Sequence, residues 1–132
     1  MSTNQFDIEA SSAALNIKVP SIHLNIGKSS APRALVIAVA GSLDTSSSPP
    51  FFEFMKSALI DAEDAGGLIL DIGAIQYISS TGVGSFTAIL VESQKRKLPF
   101  YLCRVPNCVS SVMQLLGFQA FFSYLESYEE LV

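Results

Sequence analysis

Short β-rich apolar runs alternating with amphipathic helical stretches predict an α/β fold: a single-domain, mixed but largely parallel sheet of four to five strands with about four helices. Leu35 to Ala40 (LVIAVA) is a continuous apolar run too short for a helix, the pattern of a strand buried on both faces. Phe51, Phe52, Met55, Leu59 and Ala62 recur at the spacing of one helical face. Gly66-Gly67, Pro99 and Gly117 punctuate the chain where helical patterns end.

Residues 1–20 read as an N-terminal extension, polar and Ser/Ala-rich to Leu15, then LNIKVP: either a tail throughout or a tail ending in an extra edge strand closed by Pro20. The domain proper spans residues 21–132. In Ser21 to Gly27, Ile22, Leu24 and Ile26 alternate with His23 and Asn25, the period of a half-buried strand. Lys28 to Arg33 reads as a turn by its Ser and Pro content, so the two flanking strands pair antiparallel. After the Leu35–Ala40 strand comes a polar loop to Pro49-Pro50, residues that suit a helix start because a missing N–H costs nothing there. The helix to Ala65 follows, then a short buried strand from Leu68 to Asp71. A helix from Gly82 to Lys97 turns Val83, Phe86, Ile89 and Leu90 inward, and Phe100 to Cys103 is the next strand. Pro106 opens a helix with Val109, Val112, Met113 and Leu116 as its stripe. Phe121 to Leu125 is a final strand, and Ser127 followed by Glu130 has the form of a capping box for a short last helix.

The 132 residues, 49% hydrophobic and only 15% charged, fit one domain with a core of its own. A net charge of −4 argues against a nucleic-acid binder, which needs a basic stripe. Lys95, Arg96 and Lys97 cluster only as the solvated end of a helix. Cys103 and Cys108 match no zinc pattern, so no metal is expected, and two reduced thiols suit a cytoplasmic protein. No signal peptide and no run near the roughly 20 apolar residues of a membrane span is visible. Enzyme chemistry is not expected: the single histidine, His23, sits in a strand pattern, and no nucleophile elbow appears. Gly82-Val83-Gly84 stops short of both phosphate-binding glycine motifs and lacks their lysine, so no nucleotide cofactor is expected.

In an open α/β sheet, function gathers in the loops after the carboxyl ends of the strands. Two such loops stand out: Gly41-Ser42-Leu43-Asp44-Thr45, and Tyr77 to Gly84 (YISSTGVG), which leads straight into a helix. Ser80 or Thr81 suits the N-cap. Free N–H groups and the positive dipole end favour an anion at this spot, so a serine here can carry a phosphate. The two glycines clear room for a partner's backbone. Asp44 suits an Asx-turn to the Ser46 N–H. Asp71, at the end of a buried strand, is expected to satisfy loop N–H groups.

Leu70-Asp71-Ile72-Gly73 together with Tyr77 to Gly84 resembles the signature of STAS domains, and more narrowly of the bacterial anti-sigma factor antagonists, whose pattern runs D-L-S-x-V-x-x-I-D-S-S-G-L-G. Gly41-Ser42-Leu43-Asp44 resembles the family's G-x-L-D loop, and Asn107 to Phe118 the stretch before its last strand. The resemblance spans Ser21 to Val132. It implies partner switching: the unmodified protein binds a kinase-type anti-sigma factor of the histidine-kinase-like ATPase class and so frees a sigma factor. The kinase then phosphorylates a serine and the complex separates, and a serine phosphatase resets it. The acceptor falls on Ser80, with Ser79 and Thr81 as alternatives, and the partner surface on Asp44, Ser79, Ser80, Thr81, Gly82, Val83 and Gly84. Ser79 stands where the family usually has Asp. The resemblance leaves open a STAS scaffold or transport-accessory subunit without a phosphate switch, and a monomer or a weak dimer; a small nucleotide-binding α/β protein is the remaining rival.

Overall fold

A computed structural model of the chain describes residues 12–16 and 19–130. Its elements, in chain order, are a helical turn α1 over residues 12–16, β1 (Ile22–Ala31), β2 (Arg33–Leu43), α2 (Ser48–Ala65), β3 (Leu68–Ile78), α3 (Ser80–Lys95), β4 (Phe100–Cys103), α4 (Asn107–Leu116), a 3-10 turn (Gln119–Phe121), β5 (Ser123–Leu125) and β6 (Glu129–Glu130). The strands form one mixed sheet in the order β5-β4-β3-β2-β1-β6. β2, β3, β4 and β5 run parallel, and β1 pairs antiparallel with β2 and β6. The α/β class expected from the sequence is what folds, with the strand tally extended by the two-residue β6.

Strand alternation splits the side chains between two faces. Leu35, Ile37 and Val39 of β2, Leu68, Leu70 and Ile72 of β3, and Phe100 and Leu102 of β4 join Phe51, Met55 and Leu59 of α2, Phe86 and Ile89 of α3, and Val109 and Met113 of α4 in the main core. The edge-to-face pair of Phe51 and Phe86 ties α2 to α3 across it. The opposite face holds a smaller cluster of Ala34, Val36, Ile69 and Cys103, with Tyr101, Leu125 and Tyr128 packed on it. His23, on that face of β1, is exposed, as its place in the alternation predicts.

Four local expectations are corrected. The segment Lys28 to Arg33 is strand almost throughout: β1 runs to Ala31 and β2 starts at Arg33, with a cis Ala31–Pro32 bond at the bend. Serines in an antiparallel ladder satisfy their backbone through the partner strand, so composition alone overstates the turn. The capping-box signal at Ser127 yields no helix; Glu129 pairs with Ala31 and Glu130 with Ser29. The outer edge of β1 offers this segment backbone hydrogen-bond partners instead. Of the edge strand expected over Leu15 to Pro20, Leu15 and Asn16 lie in α1, and residues 17 and 18 lie outside the described residues. Asn16 nevertheless supplies what a strand would: its side-chain amide accepts from the Leu24 N–H at 2.8 Å and donates to the Leu24 carbonyl at 3.1 Å. In α4, Leu116 points largely outward instead of joining the stripe, with 39% exposure.

Candidate functional site

The two loops singled out in the sequence meet at the carboxyl end of the β2–β3 pair. Leu43 of β2 is in register with Ile78 of β3. The next residue, Ser79, donates its backbone N–H to the Leu43 carbonyl at 3.0 Å, and its hydroxyl lies 3.5 Å from the same oxygen. Asp44 therefore sits one residue from the contact that anchors the start of α3.

That start is capped by Ser79, not by Ser80 or Thr81. Ser79 has extended backbone angles, and its Oγ accepts from the Gly82 N–H at 3.1 Å. Because the cap falls one residue earlier than expected, Ser80 becomes the first helical residue. Its side chain is exposed, as is that of Thr81. The positive pole of α3 emerges at this point, and no acidic residue occupies its first turn.

The two glycines do different work. A Cβ on Gly82 would come within 2.6 Å of Ile78 Cγ1 and 2.7 Å of the Leu43 carbonyl, so this glycine lets α3 close onto β2 and β3. A Cβ on Gly84 would meet nothing within 4 Å. Gly84 is exposed four residues after Ser80, on the same face of the helix, and leaves open surface beside the hydroxyl. Val83 is wholly buried in the main core. Of the seven residues expected on a partner surface, Ser80, Thr81 and Gly84 are outward, Asp44 and Ser79 are half-buried, and Gly82 and Val83 act from beneath by fixing the helix.

Asp44 makes the expected Asx-turn and more. Its Oδ1 accepts from the Ser46 N–H (3.0 Å), the Ser46 hydroxyl (2.9 Å) and the Ser47 N–H (2.9 Å), and the Ser47 hydroxyl lies at 3.0 Å. The Ser47 backbone N–H, then the two hydroxyls, hold the carboxyl below the ordinary carboxylate range. Ser47 closes the loop from the other side: its buried Oγ accepts from the Asp44 N–H at 2.9 Å and lies 3.1 Å from the Ser42 carbonyl. Gly41 has φ +100°, and a Cβ there would fall 2.3 Å from the Ser21 carbonyl. Only glycine fits that approach.

One contributor was missed in the sequence. Ser47 reads there as one serine in a polar run; its position three residues after an Asx residue was the available signal. Tyr77, read from the sequence as the start of the loop, lies instead in β3 and is 54% exposed, a large aromatic left in solvent two residues before Ser79. Asp71 was expected at a strand's end with loop N–H groups to satisfy; β3 instead runs on to Ile78, and Asp71 accepts from the Gly73 N–H of the same strand (3.1 Å), from Arg104 (3.1 Å) and from the Tyr128 hydroxyl (2.9 Å). The last two partners lie 33 and 57 residues away, beyond any local pattern. Cys103 and Cys108 are free thiols, the first buried and the second exposed. No group of three or more His, Cys, Asp or Glu residues able to hold a metal exists among the described residues. No helix among them is long and apolar enough to cross a membrane.

The domain is an α/β fold with helices covering one face of a mixed sheet and an exposed hydroxyl, that of Ser80, at the first turn of its second long helix. Residues 25–131 match the STAS domain family, and the chain belongs to it. Among solved structures it is similar to an anti-sigma factor antagonist from Mycobacterium paratuberculosis (18% identity, 83% of this chain and 89% of that one, TM-score 0.65). It is similar also to RsbS of Moorella thermoacetica (21% identity, 79% and 86%, TM-score 0.63). A third is the Bacillus cell fate determinant SpoIIAA in its phosphorylated form (17% identity, 80% and 92%, TM-score 0.58).

Proposed function

We propose that this chain is an anti-sigma factor antagonist in which Ser80 is the phosphorylation switch. The unmodified protein docks its α3 start, the Asp44 loop and the open surface at Gly84 on an anti-sigma factor of the histidine-kinase-like ATPase type, releasing the sigma factor. The kinase transfers the γ-phosphoryl group of ATP to the Ser80 hydroxyl, ADP leaves, and the complex separates. A serine phosphatase restores the hydroxyl by hydrolysis. The protein acts by binding, with catalysis on its partners, in the cytoplasm.

The observation that carries this reading is the position of Ser80: outward at the first residue of α3, with the preceding serine committed to the cap. That division of labour favours Ser80 over Ser79, which is half-buried and whose hydroxyl would lose the proton it turns toward the Leu43 carbonyl. The fold shared with SpoIIAA, a protein known in a phosphorylated form, supports it further. A phosphate adds about −1.5 to −2 charges at the contact patch. A hundredfold loss of affinity requires only about 2.7 kcal/mol, within the cost of one misplaced buried charge.

The test is intact-mass spectrometry after incubation with ATP and the partner kinase. One phosphate is expected on the wild type and on Thr81→Ala, and none on Ser80→Ala. In binding assays Ser80→Ala should hold the partner as the wild type does, and Ser80→Asp should bind at least tenfold more weakly. A phosphate retained on Ser80→Ala, or equal affinity of the two variants, overturns the assignment.

A further inference from the structure

No helical residue belongs to the smaller core cluster, and that face of the sheet carries an open cavity of about 380 Å³. The cross-strand row Asn25–Ala38–Asp71 runs across it from β1 to β3, so Asn25 and Asp71 stand two strand spacings apart, about 9.5 Å. Between them the floor is made by Ala38, Ala40 and Ala74. Arg104 forms the wall beside Asp71. Just past β4 it has φ +58°, and its side chain lies back over β3. A Cβ on Gly73 would fall 3.0 Å from the Arg104 Cβ, so the glycine at this bulge of β3 admits it. The guanidinium is held from two sides. Its Nη1 donates to Oδ2 of the buried Asp71 at 3.1 Å, and its carbon lies 5.1 Å from the centre of the Tyr128 ring, whose hydroxyl donates to the same Oδ2 at 2.9 Å. Its Nε and Nη2 make no hydrogen bond among the described residues, and neither does the Asn25 amide side chain. Glu126 lies in a separate depression on the far side of Arg104 and forms no ion pair with it.

We infer that this trough binds a small organic monocarboxylate with a flat apolar body. The carboxylate takes the unspent Nε and Nη2 edge of Arg104 in a two-bond fork, the body lies on the alanine floor, and a polar group at its far end meets the Asn25 amide. An arginine held by a buried acid and stacked on an aromatic ring is fixed before a ligand arrives, so little freedom is lost on binding. Its planar fork matches a carboxylate, and a neutral group in that place would forgo the charge-assisted bonds. Net charge selects among anions. Arg104 and Asp71 sum to zero, so a monoanion adds one negative charge beside Asp71, whereas a phosphate ester adds about two in a chain that already carries −4. The volume is at the small end of the roughly 300–1,000 Å³ of ligand cavities, and an apolar floor with a few convergent polar groups is their usual lining. An added protein strand fits less well: β2 and β3, which make the floor, are each paired on both sides and offer it no backbone edge.

Amide NMR of the full chain titrated with 4-hydroxybenzoate tests the site without partner or kinase. The acid is expected to saturate below about 10 mM, moving the amides of Ala38, Ala40, Gly73, Ala74 and Arg104 and leaving those of Ser80 and Thr81 in place. 4-Hydroxybenzamide, the same shape without the charge, should bind at least about tenfold more weakly. Arg104→Lys keeps the charge and loses the fork, and should weaken the acid at least about tenfold; Asn25→Ala should weaken it about threefold. If Arg104→Lys fails to fold, the comparison of acid with amide on the wild type decides. The proposal is overturned by an acid that does not saturate, by the amide or inorganic phosphate binding as well as the acid, or by either folded variant binding like the wild type.

Discussion

Ser79 shows how a single hydroxyl sets the register of a site. By accepting from the Gly82 N–H it caps α3, and by doing so it places Ser80, not itself, in solvent. Ser79→Ala is expected to lower stability by about 1 kcal/mol, read as a lower midpoint in denaturant with an unchanged slope. An unaltered midpoint would show that the cap contributes nothing. Asp44 carries the other residue-scale expectation. Its carboxyl is held low by hydrogen bonds formed only in the folded state. A depressed folded pKa stabilises above the unfolded value near 3.9 and stops doing so as pH falls through the folded one. A carboxyl carbon titration by NMR should therefore place the Asp44 midpoint below that of a model aspartate, and Ser47→Ala should move it back up.

Among the elements, β4 and α4 divide the two cysteines. Cys103 closes β4 on the smaller core face, where burial first, then the nearby Asp71 carboxylate, raises its thiol pKa, against a smaller opposing pull from Arg104. Cys108 begins the exposed side of α4. A thiol reagent at pH 8 should label Cys108 quickly and Cys103 only on unfolding, which peptide mapping after a timed quench resolves. Fast labelling of both would mean that β4 opens on the timescale of the reagent. α3 shows the same division along its length, with Val83, Phe86 and Ile89 holding the helix and Ser80 and Gly84 on its other face.

For the whole molecule, a switch at an exposed first-turn residue needs no refolding. Ser80→Asp should leave the melting temperature nearly unchanged, since an exposed substitution shifts stability by about 0.5 kcal/mol or less and an acid near a helix N-terminus is mildly favourable. Weakened partner binding with an unchanged melt is then a surface effect. A large drop in the melt would instead make Ser80 a structural residue.

The sequence by itself determined the α/β alternation, the inward stripes of α2 and α3 and the loop pair that forms the site, because each rests on local periodicity or on residue types whose chemistry is local. Asp44 and its Asx-turn were legible for the same reason. Only the tertiary structure decided that Ser79 takes the cap, since that follows from the docking of Ser79 on Leu43 across two strands. It also decided that the C-terminal Glu129–Glu130 pairs with β1, that Asn16 stands in for a strand at Leu24, and that Leu115, Leu116 and Phe121 stay uncovered. These depend on which edges and faces the fold leaves unpartnered, a property of the packed chain and not of any window along it.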